Sequence, residues 1–123
     1  MKISPAESEV LDVLWRAARP IAAEEVTQAL ADEKAWGHPT VRSLLSRLVG
    51  KKAVSAKMEG RRYLYSPLIA RADYTQAESE GLIDRLFDGQ LVPFITQFAS
   101  RKSLSAEEVA ELRRLVEKLE NDR

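Results

Sequence analysis

The sequence predicts a mainly α fold carrying one small β-hairpin, and three observations predict it. Apolar residues recur at helical spacing in six separate segments. Two short strand-like runs, Val54–Met58 and Arg61–Tyr65, flank Glu59-Gly60. Two Ser-x-x-Glu sequences, at Ser4 and Ser105, mark helix starts. The resulting order is three helices, the hairpin, then three more helices.

The first helix is predicted over 5–17. Ser4 can cap it, Pro5 suits its first position and Glu7 closes a capping box. Ala6, Val10, Val13, Leu14 and Ala17 form its apolar stripe. Arg19-Pro20 ends it, and Ile21 can add one strand position. A short second helix runs from Glu24 to Ala31, with Val26 and Leu30 four residues apart; its cap, Ala22 or Ala23, is poor. Pro39 opens a third helix that extends to about Lys51, where Val41, Leu44, Leu45 and Leu48 follow the i, i+3, i+4, i+7 pattern of one buried stripe. A two-residue Glu59-Gly60 turn would set Val54 against Tyr65, Ala56 against Tyr63 and Lys57 against Arg62. The last pair places like charges opposite each other, which is unfavourable without an anion. Beyond Ser66-Pro67, Ala70–Asp88 reads as a long helix stopped by Gly89, and Leu91 to Ala99 as an apolar helix with Pro93 in its first turn. Ser105-Ala-Glu-Glu108 starts a final amphipathic helix over about 106–121.

The chain has 123 residues, enough for one compact domain or a small domain with an extension, and its 19 basic and 19 acidic side chains give zero net charge. There is no cysteine and one histidine, which excludes disulfides, thiol chemistry and multi-histidine metal sites. The longest uncharged run, Gly89 to Ser100, has 12 residues, short of the about 20 a membrane span needs. With no signal-like N-terminal apolar segment, a cytoplasmic protein without membrane insertion is expected. No catalytic constellation, metal site or cofactor motif stands out, so no enzyme is expected.

The neutrality is a sum over unlike segments. Residues 1–37 carry −3 and residues 63–123 carry −3. Residues 38–62 carry seven basic groups and one acid, giving +6. That block coincides with the third helix and the hairpin. On a helical wheel the side opposite Val41 carries Pro39, Thr40, Ser43, Ser46, Arg47 and Gly50, with Arg42 at its edge and no acid. A helix fits the DNA major groove, where Arg bridges guanine acceptors and small hydroxyls reach base edges or phosphates. Lys51 at the helix end and Lys57, Arg61 and Arg62 on the hairpin complete a candidate DNA-binding set. Alone, Thr40, Ser43 and Ser46 would read as a plain solvated face; the adjoining arginines and basic hairpin favour DNA. His38 reads as a helix-flanking polar residue, and Trp15 and Trp36 as core or linker packing. A module that meets an acidic protein partner through the same face is the alternative.

Four stretches resemble the penicillinase-repressor (BlaI/MecI/CopY) family of bacterial winged-helix regulators. They are Ile3-Ser4-x-Ala6-Glu7-x-Glu9-Val10-x-x-Val13-Leu14-Trp15, Trp36-x-x-x-Thr40-Val41-Arg42-Ser43-Leu44-Leu45-x-Arg47-Leu48, Gly60-Arg61-x-Tyr63-x-Tyr65-x-Pro67 and Leu104-Ser105-x-Glu107-Glu108-x-x-x-Leu112. The resemblance implies a winged helix-turn-helix DNA-binding domain, 1–70, and a C-terminal helical dimerisation domain, 71–123. It implies a transcriptional repressor that binds a palindromic double-stranded operator as a homodimer, with 39–51 as recognition helix and Lys57 to Arg62 as wing. The stripes of Leu82, Leu86, Leu91, Phe94, Ile95, Phe98, Val109, Leu112, Val116 and Leu119 exceed what one small core needs and are the candidate dimer seam. In the β-lactam branch a membrane-bound metalloprotease sensor cuts beside that seam; here the matching bond is Gln97–Phe98, with Gln97 where the family has Asn. Pro39 replaces the family's Lys, and Lys51-Lys52-Ala53 lacks the Gly that usually follows the recognition helix. The copper branch's C-terminal cysteines are absent, which excludes copper sensing by that route.

Overall fold

The computed structural model describes residues 2–99, 101 and 104–123. Helices α1 (Pro5–Ala17), α2 (Ala23–Lys34) and α3 (His38–Gly50) precede strands β1 (Val54–Glu59) and β2 (Arg62–Pro67); α4 (Arg71–Phe87), α5 (Leu91–Ala99) and α6 (Ala106–Asn121) follow. The described residues divide into two compact units, one ending at Thr75 and the other spanning Gln76–Arg123.

Three helices and a hairpin build the first unit as a winged helix. The Ser4 hydroxyl accepts from the Glu7 N–H at 3.1 Å, and the Glu7 carboxylate accepts from the Ser4 N–H at 2.8 Å. These bonds satisfy donors that a helix start leaves open. Helix α1 buries Val10, Leu11 and Leu14. Leu11 belongs to the core although the sequence stripe omits it, and Val13 packs at the core's edge. Helix α2 begins one residue earlier than expected and ends three later. Ala22 has no side-chain acceptor to cap it, and the Glu25 carboxylate supports the start by accepting from the Ala22 N–H at 3.5 Å. Val26 and Leu30 are buried as their spacing implies. From α3, Val41, Leu44, Leu45 and Leu48 enter the same core, which Ile21, Ala53 and Val54 complete. Ile21 forms one bridge to Tyr65, so the hairpin gains a third strand position that ties it to the helices.

The turn after α3 carries a cost. Lys52 has φ 63°, the left-handed conformation that favours glycine. The Lys52 N–H bonds the Val49 carbonyl and the Ala53 N–H bonds the Leu48 carbonyl, each at 3.0 Å. These bonds hold the turn closed without a glycine.

In the second unit, α4 ends at Phe87, and Gly89 two residues on has a φ of 75° that lets its N–H reach the Ile83 carbonyl at 3.1 Å. Phe94 packs edge-on to Phe87 and to Phe98. Ser105 and Glu108 form the second capping box. None of α4, α5 and α6 contains a buried residue.

One ion pair joins the start of α1 to the end of α3. Glu7 is 1% exposed, and its Oε1 accepts from the Lys51 ammonium at 2.5 Å. Lys51 also donates to the Lys2 carbonyl at 2.7 Å. Burial pushes the Glu7 carboxyl upward, but the Lys51 and Ser4 hydrogen bonds outweigh it, and the group sits below its ordinary value of 4.5.

Lys51→Met strands a buried carboxylate and should cost about 3 kcal/mol. Glu7→Gln keeps a capping side chain and frees an ammonium that can turn to water, so it should cost about 1 kcal/mol. Urea unfolding at neutral pH checks the order. A lowered folded value means the carboxylate's stabilisation is complete above pH 4.5 and fades as pH falls through that lowered value. Glu7→Gln should therefore flatten the decline in stability below pH 4.5.

Candidate nucleic-acid interface

Helix α3 separates its residues sharply. Val41, Leu44, Leu45 and Leu48 are buried, whereas Pro39, Thr40, Arg42, Ser43, Ser46, Arg47 and Gly50 are exposed. The buried stripe fixes the helix's rotation against the core, and that rotation sends Thr40, Ser43, Ser46 and both arginines outward together. Its first turn contains no acidic residue, and its N-cap, Gly37, provides no side-chain acceptor. His38, Pro39, Arg42, Ser43 and Ser46 line one shallow surface depression. Arginines and hydroxyls on an exposed, acid-free helix face can donate to phosphates and base edges.

The hairpin differs from the expected register by two residues. Lys57 faces Leu64, Met58 faces Tyr63, and Arg62 faces Glu59. The tight loop is Gly60-Arg61, with Gly60 at φ 65°, the first loop position where a type II′ turn needs glycine. This register removes the Lys57–Arg62 conflict and puts opposite charges across the tip. A shift of two also keeps each side chain on its expected face, so Val54, Ala56, Tyr63 and Tyr65 still share one. Lys57, Arg61 and Arg62 are exposed. Arg19 donates to the Glu25 carboxylate at 2.8 Å; that bond, aided by the charge of Arg62, holds the carboxyl below its ordinary range.

Lys51 stands apart from the other residues of the set, its ammonium engaged by Glu7 and the Lys2 carbonyl. His38, conversely, is part of α3 rather than a flank. Its Nδ1 lies 3.2 Å from the Thr27 hydroxyl and its Nε2 lies 3.9 Å from the Glu24 carboxylate. The available signal was its position directly before Pro39; its partners on α2 are eleven or more residues away. Trp15 donates to the Ile69 carbonyl at 3.0 Å and packs on Tyr74, and Trp36 lies against the core.

The candidate seam residues occupy the second unit. Leu86, Leu91, Ile95, Phe98, Val116 and Leu119 are exposed, while Leu82, Phe94, Val109 and Leu112 are half-buried. Phe94, Ile95, Phe98, Leu104, Leu112 and Leu115 line an apolar groove between α5 and α6. Gln97–Phe98 lies in α5. Among the described residues, no group of three or more His, Asp or Glu side chains is placed to hold a metal ion, and no helix is long and apolar enough to cross a membrane.

The sequence profile described as "Penicillinase repressor" matches residues 3–118. The chain is similar to the penicillinase repressor of Bacillus licheniformis, with 33% identity across 98% of this chain and 93% of that protein. Methicillin resistance regulatory protein MecI of Staphylococcus aureus strain N315 is 26% identical across 95% of this chain and 94% of its own length. Among solved structures, the monomeric form of Bacillus licheniformis BlaI in complex with the blaP half-operator matches with a TM-score of 0.52 and 36% identity, over 60% of this chain and 89% of that one.

A Cβ added at Gly60 would meet no atom within 4 Å, so Gly60→Ala tests backbone conformation alone. It should cost about 1 kcal/mol in thermal unfolding. Leu45→Ala, at a fully buried position, should cost about 3 kcal/mol, whereas Ser46→Ala should stay within about 0.5 kcal/mol.

Proposed function

The chain belongs to the penicillinase repressor family, and on that premise we propose that it is a cytoplasmic transcriptional repressor that binds a palindromic operator as a homodimer. Residues 1–70 act as the DNA-binding domain, with α3 as recognition helix and the β1–β2 hairpin as wing. The exposed, acid-free face of α3 carries this reading. Arg42 and Arg47 reach bases or flanking phosphates, Thr40, Ser43 and Ser46 contact base edges or phosphates, and Pro39 packs at the helix entry. Lys57, Arg61 and Arg62 follow the backbone beside the groove. Lys51 supports the interface from within by holding α3 to the start of α1.

Residues 71–123 act as the dimerisation domain. A helical segment without a buried side chain loses little apolar surface by folding alone, and a second copy can cover its exposed leucines, valines and phenylalanines. The two recognition helices would then enter successive major grooves about 34 Å apart. Cleavage at Gln97–Phe98 by a membrane-bound metalloprotease sensor would detach α6 from the seam and release the operator.

Neutralising about four phosphates per protomer gives a log–log salt slope of roughly −7 for the operator complex. Electrophoretic retardation of the gene's own upstream fragment at several salt concentrations measures it; a slope near zero contradicts the proposal. Arg47→Ala should relax sequence preference by about 1–3 kcal/mol at one base pair, and Arg61→Ala should weaken all sequences alike. Light scattering at micromolar concentration should show a dimer, and Leu112→Asp should convert it to a monomer that binds the full operator at least about tenfold more weakly.

A further inference from the structure

We propose that His38 contacts the DNA backbone and takes up a proton as it does so, an inference that rests on the DNA-binding reading above. The tautomer follows from the partners. The Thr27 hydroxyl donates its single proton to the Ala23 carbonyl at 2.9 Å. Toward His38 that oxygen can therefore only accept, so the ring nitrogen 3.2 Å away, Nδ1, carries a hydrogen. Nε2 is the atom left to gain or lose a proton. It lies 3.9 Å from the Glu24 carboxylate, too far for a hydrogen bond, on a side chain 37% exposed.

A neutral Nε2 presents a lone pair to whatever approaches, which repels phosphate oxygens. A protonated Nε2 is a charge-assisted donor to them. The ring lines the same depression as Pro39, Arg42, Ser43 and Ser46, so its added charge extends the proposed DNA-facing surface toward α2. The groups set around the ring are few. Glu24 and Thr27 face it from α2, and Arg42 lies one turn on along α3. A phosphate oxygen brought to Nε2 would supply an anionic acceptor for a proton there. The Thr27 bond holds the ring in place throughout, so uptake requires no rearrangement. Because the chain has a single histidine, it is the side chain whose charge ordinarily changes between about pH 5 and 8.

The test pairs affinity with direct titration. Binding to a duplex from the gene's own upstream region is measured at fixed ionic strength from about pH 5.5 to 8.5. The lone histidine ring is followed by NMR, free and bound. Its midpoint should rise by about 0.5–1 unit in the complex, and affinity should fall about three- to tenfold per protomer from the acid to the alkaline end. His38→Gln should bind with a flat profile near the alkaline wild-type affinity. Salt-sensitive but pH-independent binding with an unmoved histidine midpoint overturns this inference and leaves the DNA-binding reading standing; so does a His38→Gln variant that keeps the wild-type pH profile. No binding at any pH or salt overturns the DNA-binding reading and this inference with it.

Discussion

The buried carboxylate of Glu7 and the Lys51 ammonium it holds are the contact on which the proposed interface depends. Taking a carboxylate out of water is costly unless its charge is matched and its lone pairs are bonded. Lys51 matches the charge, and its ammonium and the Ser4 N–H both bond Oε1, while Oε2 is buried without a hydrogen-bond partner; the two bonds join the first turn of α1 to the residue that caps the end of α3. Four apolar side chains fix how α3 rotates about its axis, and the ion pair fixes where its end sits. With both set, the placement of Thr40, Ser43, Arg42 and Arg47 follows without further constraint. A lysine turned to water at the same place would leave the helix end unanchored.

The hairpin obeys a similar economy. Its tip is crowded with basic groups, and the register that forms is the one that sets Arg62 against Glu59 and Lys57 against Leu64. Ile21 joins Tyr65 through two backbone hydrogen bonds of 3.1 and 2.8 Å, which fasten the wing's base to the α1–α2 connection. The wing therefore has a fixed root and an exposed charged tip. The second unit is organised differently: its aromatic contacts are local, and many of its larger apolar side chains, Leu86, Leu91, Phe98, Val116 and Leu119 among them, are exposed. The first unit thus gathers its apolar surface into a core, whereas α4, α5 and α6 leave much of theirs exposed, the kind of surface that a partner can cover.

Much of this was readable in the sequence because it depends on local spacing. The capping boxes at Ser4 and Ser105, the α3 stripe and the stop at Gly89 all rest on residues within a turn or two of each other. The hairpin was harder. A two-residue slip preserves the inward and outward alternation, so side-chain pattern could not decide between Glu59-Gly60 and Gly60-Arg61 as the loop; opposing charges and the positive φ of Gly60 did.

By itself, then, the sequence determined the order of elements, the residues on each face of α3 and the concentration of positive charge in 38–62, because helical period and charge composition are properties of neighbouring residues. Only the tertiary structure decided which charges are available at that face. It withdrew Lys51 to a carboxylate forty-four residues away and brought His38 onto Thr27 and Glu24 of a different helix. A side chain's partners across the fold are set by where the core places its backbone, and no local pattern records that.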